Sequence, residues 1–257
     1  MISMCWAFLL IGFLAFLFEG LDSSIGMGYG TLLSPILIIA GFDPLQVVPA
    51  VLLSQALGGF TASMYHHKYN NVDFSSGSRD LKIVFTICSL GVAATIFGVF
   101  VSVNILPKIW LKTYIGVMVF MMGLLVVKEA YFEFSWKKIM GIGLISAFNK
   151  GLSGGGFGPI VTGGQILSGN GHKESIGATT LAEAPICIAG FLFYMMFRVQ
   201  SGLEICWPLF GSLLVGAIIA APFGPRITRV IPRECMGKVI GLLMASLGLL
   251  TLLKTWL

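Results

Sequence analysis

Two stretches of this chain hold residues able to do chemistry, and each is a copy of the other. The first is Ser23-Ser24-Ile25-Gly26-Met27-Gly28-Tyr29-Gly30, and the second is Ser153-Gly154-Gly155-Gly156-Phe157-Gly158. A gapless shift of 128 residues superimposes Gly26, Gly28 and Gly30 on Gly154, Gly156 and Gly158. It continues through Ile38/Ile166, Gly41/Gly169, Ala50/Ala178, Leu53/Leu181 and Ala56/Ala184. Each copy interrupts an apolar run. A helix that starts after such a break leaves its first N–H groups unpaired and carries partial positive charge. Glycines before it let a ligand approach the backbone. The combination is an anion cradle that needs no basic side chain. Gly26, Gly28, Gly154, Gly155 and Gly156 are therefore candidate substrate contacts, with Ser23, Ser24 and Ser153 as added donors. The competing reading is close helix packing through small residues.

Polar groups inside apolar segments mark function, because burying them is costly. Gln55 follows the first break and Glu183 occupies the same place after the second. That pairing suits one ligand-contacting amide, Gln55, and one proton-carrying carboxylate, Glu183; a structural hydrogen bond to the broken backbone is the alternative. Lys150 sits at the second break and can draw anions by charge, or simply snorkel. Glu19 and Asp22 mark the first break; they would repel an anion unless neutralised, so Asp22 joins Glu183 as a candidate for proton coupling. His66 and His67 read as loop-end residues.

The elements that position these residues are membrane segments. Of the 257 residues, 56% are hydrophobic and only 11% charged, against about a quarter charged in soluble domains. Apolar runs recur along the whole length, which identifies an all-α integral membrane protein with no separate soluble domain. The net charge of +5 resides in loops and sets orientation; it does not imply nucleic acid. Cys5, Cys88, Cys187, Cys206 and Cys235 are scattered singly, with no metal spacing, and read as small apolar packing residues. Met1 to Cys5 lacks basic charge and no Ala-x-Ala site follows, so the N-terminus reads as the first membrane segment.

Residues 4–18 form an apolar run that is short for a bilayer span. A second short run, Thr31 to Ala40, lies beyond the break. These read as two short helices with buried tips, because broken backbone is not tolerated against lipid. A long segment follows over about Leu45 to Tyr65, then a polar loop to Lys82 and two ordinary spans at about 83–103 and 109–127. After a polar hinge at Lys128–Lys138 the plan repeats, giving a first repeat over 1–130 and a second over 131–257. A shift of 125 relates the last spans, pairing Gly91 with Gly216, Pro107 with Pro232, Gly116 with Gly241 and Gly123 with Gly248.

Each half crosses four or five times. In the five-crossing count the opening pair folds back as a hairpin, and the loops at 66–82, 128–138, 168–173 and 226–233 share one side. That side then holds Lys68, Arg79, Lys82, Lys128, Lys137, Lys138, Lys173, Arg226, Arg229 and Arg233, against Lys108, Lys112, Lys150, Arg198 and Lys254 opposite. The four-crossing count divides the basic residues almost evenly. Cytoplasmic loops are rich in Lys and Arg, so the five-crossing count is preferred. It predicts two inverted-topology repeats of about five segments each, both termini outside, and break tips that converge near mid-membrane.

With these features the chain resembles the sulfite exporter TauE/SafE family, also called TSUP. The resemblance rests on the break from Glu19-Gly20-Leu21 to Gly26-x-Gly28-x-Gly30 with Pro35 beyond it, on Ala50 and Ser54-Gln55, and on Lys150-Gly151-Leu152-Ser153-Gly154-Gly155-Gly156-Phe157-Gly158-Pro159. Gly177-Ala178-Thr179-Thr180 is also similar to the family's second half, and Thr179 joins the candidate substrate contacts. The resemblance implies a transporter of small sulfur-containing anions such as sulfite, thiosulfate or sulfonates; the expected location is the cell inner (cytoplasmic) membrane.

The expected function is secondary export of sulfite or a related anion by alternating access, with protons as a possible coupling ion and no cofactor or metal. No Walker motif is present, so ATP is not the internal energy source. An inside-negative potential favours outward anion flow by about 2.3 kcal/mol per charge per 100 mV. Rival readings are uptake of an organosulfonate or carboxylate, and a membrane sensor or assembly protein without transport. An intramembrane enzyme finds no support: HExxH and paired-Asp signatures are absent, and the GxSxG spelling of Gly151-Leu152-Ser153-Gly154-Gly155 belongs to the second glycine break of an all-α chain, without the strand-to-helix elbow that the motif needs.

Overall fold

The computed structural model describes residues 2–127, 136–167, 170–201, 205–230 and 233–257. Every regular element among them is helical: α1 (Ile2–Ile25), α2 (Tyr29–Ile39), α3 (Pro44–Lys68), α4 (Arg79–Phe100), α5 (Lys108–Val127), α6 (Trp136–Ser153), α7 (Gly158–Leu167), α8 (His172–Ser201), α9 (Trp207–Ala220), α10 (Gly224–Ile227) and α11 (Arg233–Trp256), with a π-helical turn at Val101–Ile105 closing α4. Seven stretches among the described residues are long and apolar enough to cross a membrane. Large apolar side chains such as Leu9, Phe13, Phe85, Phe97 and Leu192 are exposed, as lipid-facing surfaces require, while Glu19, Asp22, Gln55, Lys150 and Glu183 are buried. The polarity of a soluble protein is thus turned outside in.

One expectation needs correction. The first apolar run is not a short helix ending at Glu19. The helix α1 continues through Glu19-Gly20-Leu21-Asp22-Ser23-Ser24 to Ile25, 24 residues in all. The hydroxyls explain how it does so: Ser23 Oγ donates to Glu19 O at 2.6 Å and Ser24 Oγ to Gly20 O, so both point back along their own helix. Only α2 and α7, with 11 and 10 residues, are short. The hinge at 128–138 lies outside the described residues up to 135, as do 168–169 and 231–232.

The loop after α3 meets the α10 region. Asn71 Nδ2 donates to Pro225 O at 2.8 Å, Arg226 Nε to Tyr69 Oη at 2.7 Å, and Arg229 to Tyr69 O. Lys68 on the last turn of α3 and Arg79 and Lys82 on the first turn of α4 flank the same loop. At the opposite end of the bundle, Lys254 Nζ reaches Ile39 O, Trp256 Nε1 reaches Thr113 Oγ1 at 3.0 Å, and Lys108 pairs with Asp43. The five-crossing count puts 66–82 and 226–233 on one side, and these contacts do the same; the four-crossing count separates them.

Helices α1 and α9 run parallel, with Gly12 beside Ser212 and Gly216, and Ser23 beside Gly224. Helices α4 and α6 also run parallel, with Gly91 beside Ala147 and Gly98 beside Phe148 and Leu152. Helices α5 and α11 are antiparallel and interlock through glycine: Gly116 faces Gly248 and Gly123 faces Gly241. Exposed Trp6, Trp110, Trp207 and Trp256 lie on the segments of α1, α5, α9 and α11 that share the end opposite the basic loop, where tryptophan suits a membrane–water boundary. Among the described cysteines, Cys88, Cys187 and Cys206 are free thiols, in keeping with a packing role.

Candidate functional site

The two glycine breaks cross in direct backbone contact. A Cβ placed on Gly30 would stand 1.8 Å from Gly154 O, and one on Gly158 would stand 2.4 Å from Gly26 O. The first contact becomes the second under the 128-residue shift, with the two halves exchanging roles. Gly26 and Gly154 share φ +76°, a left-handed conformation that favours glycine. Beside them stand Thr162 and Ser34 respectively, again 128 apart. Thr162 Oγ1 donates to Gly26 O at 3.0 Å, whereas Ser34 Oγ, fully buried, lacks a partner among the described residues.

Five backbone donors at the breaks have protein partners. Gly26 N–H donates to Asp22 O at 2.7 Å, and Tyr29 N–H, the first of α2, donates to Asp22 Oδ1 at 3.2 Å. Asp22 therefore places a carboxylate on the positive end of α2. At the second break Gly154 N–H donates to Lys150 O, Gly155 N–H to Ser153 Oγ at 3.2 Å and Gly156 N–H to Thr31 Oγ1 at 3.1 Å. Ser153 Oγ itself donates to Asn149 O at 2.7 Å. Thr31, like Thr162 absent from the sequence-derived candidates, thus ties its half to the other half's break.

Around the crossing a polar chain runs through the apolar interior. Gln55 Nε2 donates to Asp22 Oδ2 at 3.1 Å, Lys150 Nζ donates to Gln55 Oε1, and Lys150 Nζ lies 2.7 Å from Glu183 Oε1. Lys150 is 1% exposed and Glu183 4%. The 128-residue shift converts Asp22 into Lys150 and Gln55 into Glu183. One half thus supplies a carboxylate bonded to an amide, and the other an ammonium bonded to a carboxylate. Gln55 and Glu183 stand together as their matched positions suggest, and Asp22 and Lys150 join them. The Asp22/Lys150 correspondence was available in the sequence but is masked by opposite charge.

Glu19 completes the acidic complement. It is 1% exposed, its carboxyl carbon stands beside Gly58 of α3, and its Oε2 has no hydrogen-bond partner among the described residues. Three carboxyls thus share the interior with one ammonium. A buried charge is tolerated when paired and hydrogen-bonded and is costly otherwise. Thr179 lies one turn before Glu183 on α8, but its hydroxyl accepts from Gln165 Nε2 at 2.7 Å and ties α8 to α7. The hydroxyls of Ser23 and Ser24 do not face the chain, as their bonds within α1 show.

His66 departs from its expected place as a loop-end residue. It is fully buried in the last turn of α3, with Nε2 2.8 Å from Ser23 O and Nδ1 3.1 Å from Asn71 Nδ2. Its counterpart at a shift of 128 is Tyr194, whose hydroxyl reaches Gly151 O at 3.0 Å and Ser102 Oγ at 2.9 Å. Ser23 and Gly151 are also 128 apart, so each half's long helix holds the end of its own broken helix by one side chain at one matched carbonyl. Thr228 Oγ1 closes on the first of these ends, bonding Ser24 O at 2.9 Å. His67 is exposed on the same last turn of α3, one residue before the helix ends. No group of three or more His, Cys, Asp or Glu that could hold a metal ion occurs among the described residues.

The family model described as Sulfite exporter TauE/SafE matches residues 8–251. A curated relative named "Probable membrane transporter protein YtnM", from Bacillus subtilis (strain 168), is 25% identical over 265 residues, covering 97% of this chain and 84% of the relative. No solved structure matches the chain.

Proposed function

The chain belongs to the sulfite exporter TauE/SafE family, and on that premise we propose that it is a secondary transporter exporting sulfite or a related small sulfur oxyanion by alternating access around Lys150. Transport rather than catalysis is the activity of the family and of the relative's name. The observation that carries the reading is a buried ammonium at the meeting of two broken helices, held by one amide and one carboxylate. A cation inside a membrane protein is costly, and its default role is on an ion path. Since the amides of Gly26, Tyr29, Gly154, Gly155 and Gly156 have internal partners, Lys150 is the principal anion contact. Gln55 and the hydroxyls near the crossing orient the anion, and the glycines provide the close crossing that brings the two halves to one point.

The two halves act as inverted repeats. Support comes from the contacts related by one shift: Gly30 with Gly154 and Gly158 with Gly26, Asp22 with Gln55 and Lys150 with Glu183, Ser23 with His66 and Gly151 with Tyr194. Repeats so matched can exchange conformations, which is the basis of alternating access. The basic loop end faces the cytoplasm and the tryptophan-lined end faces outward, so both termini lie outside the inner membrane.

The test is sulfite flux in proteoliposomes of the purified protein, with thiosulfate, sulfate, sulfoacetate and acetate as competitors. Inhibition by sulfur oxyanions and not by acetate, with flux lost in Lys150→Met, is the expected result. Equal inhibition by acetate would make the cargo a carboxylate. Absence of flux under every gradient would transfer the protein to a sensor or assembly role.

A further inference from the structure

We infer that the transported anion and the Glu183 carboxylate compete for Lys150, so that each anion crosses together with one proton. The inference rests on the reading of Lys150 as the anion contact. In the structure Glu183 Oε1 sits 2.7 Å from Lys150 Nζ, where a substrate oxygen would sit, and both side chains are almost completely buried. The protein's own carboxylate therefore fills the place of the cargo.

The groups around Glu183 make the competition sharp. Lys150 faces it from α6, Asp22 and Glu19 contribute acids from α1, and Tyr29 of α2 is hydrogen-bonded to Ser54 on α3. From α3 comes the uncharged amide of Gln55, from α4 the thiol of Cys88, which donates to Ala182 O at 3.3 Å, and from α8 itself the thiol of Cys187. From α7 the side chain that reaches α8 is the neutral Gln165. Lys150 is the one cation among these groups. An incoming anion thus adds to a site already richer in carboxyls than in positive charge.

Proton binding at Glu183 resolves this. The proton adds to the carboxylate to give the neutral acid, the Glu183–Lys150 ion pair breaks, and the ammonium, which keeps all its protons, pairs with the anion. No electron moves and no covalent bond of the substrate changes. Protonating Asp22 would not have this effect: its oxygens accept from Tyr29 N–H and Gln55 Nε2, and Lys150 is bonded to other atoms. When the anion leaves and Glu183 loses its proton, the ion pair re-forms and the empty carrier is electrically restored. The protein is then a symporter in which proton and anion travel the same way.

Thiosulfate is the suitable probe, because it remains a dianion near neutral pH and cannot itself carry the proton across. Proteoliposomes of the wild-type protein are given an inward thiosulfate gradient, with radiolabel reporting the anion and an internal pH dye reporting protons. The expected result is acidification of the lumen by one proton per thiosulfate. One net negative charge then moves per cycle, and the potential that stops net flux shifts by about 59 mV for each tenfold change in the proton ratio. Thiosulfate binding to the wild type strengthens as pH falls, and Glu183→Gln removes that dependence. Thiosulfate flux with no proton movement and a stopping potential indifferent to pH would overturn the inference even if Glu183→Gln fails to fold. If the wild type moves or binds no sulfur oxyanion, or if Lys150→Met transports normally, the reading of Lys150 falls and this inference falls with it. Flux that depends on Lys150 but carries no proton refutes the coupling alone.

Discussion

Replacing Gly30 by alanine tests the crossing of the two breaks without reference to any substrate. The added Cβ would stand 1.8 Å from Gly154 O, against more than 3 Å for ordinary contact. The obstacle is backbone, so no flexible side chain can yield, and the two halves must part by over an ångström. Overpacking of this kind costs about 1–3 kcal/mol or more, and a backbone obstacle belongs at the upper end, near 3 kcal/mol. For a chain of this size each kcal/mol moves the melting temperature by roughly 2–4 °C, giving a loss of about 6–12 °C. Gly20 is the control: it lies inside α1, a Cβ there meets nothing within 4 Å, and alanine in a helix interior stabilises by about 0.5–1 kcal/mol. The assay is thermal unfolding of detergent-purified protein followed by tryptophan fluorescence. Gly158→Ala should lose stability in parallel with Gly30→Ala, because it meets Gly26 O at 2.4 Å. A Gly30→Ala protein that melts within 2 °C of the wild type (roughly under 1 kcal/mol) would refute the contact, as would a Gly20→Ala protein that loses as much as Gly30→Ala.

Breaking the Lys150–Glu183 pair from one side should cost about 3–5 kcal/mol, since a buried charge loses its partner, and replacing both should recover most of that loss; melting of Glu183→Leu against Lys150→Met/Glu183→Leu measures the coupling, and additive losses would contradict the ion pair. Tyr194→Phe removes the hydroxyl that bonds Gly151 O and Ser102 Oγ and should cost about 1–2 kcal/mol, read as a lower melting temperature; an unchanged melt would remove the proposed tie. A cysteine at the exposed Ser76 should resist impermeant thiol reagents in intact cells and react in inside-out vesicles. Ser76 is the better reporter than Ser78, whose hydroxyl caps α4 by accepting from Leu81 N–H. Labelling from outside would reverse the orientation.

The repeat at 128 residues was legible because glycines leave few substitutes at a tight crossing, so the spacing of Gly26, Gly28 and Gly30 survives in Gly154, Gly156 and Gly158. The meeting of two distant loops was legible because Lys and Arg partition by side: the charge bias groups 66–82 with 226–233, and Tyr69 meets Arg226 and Arg229. The extent of α1 was not, because Glu19 to Ser24 look like a polar loop by composition alone. Serine hydroxyls that bond to carbonyls four residues back let such a stretch remain helical inside a bundle. Asp22 and Lys150 were each visible, but their equivalence was hidden, since position in the repeat is retained while the sign of charge is reversed. His66 was misplaced because its neighbours His67 and Lys68 are polar, whereas one face of that last turn points inward to Ser23.

The crossing of Gly26–Gly30 over Gly154–Gly158 has a mechanical consequence for the proposed cycle. Two arms whose backbones touch at one point, with Cβ-free residues on both sides, are joined as the blades of scissors are at their rivet. The arms can swing while the rivet stays fixed, so the largest displacements belong to the far ends of the arms, whereas His66 and Tyr194 hold carbonyls of α1 and α6 only three residues before Gly26 and Gly154 and steady the rivet itself. A cross-link at the rivet should therefore be tolerated during turnover, while one that fastens either far end should stop it.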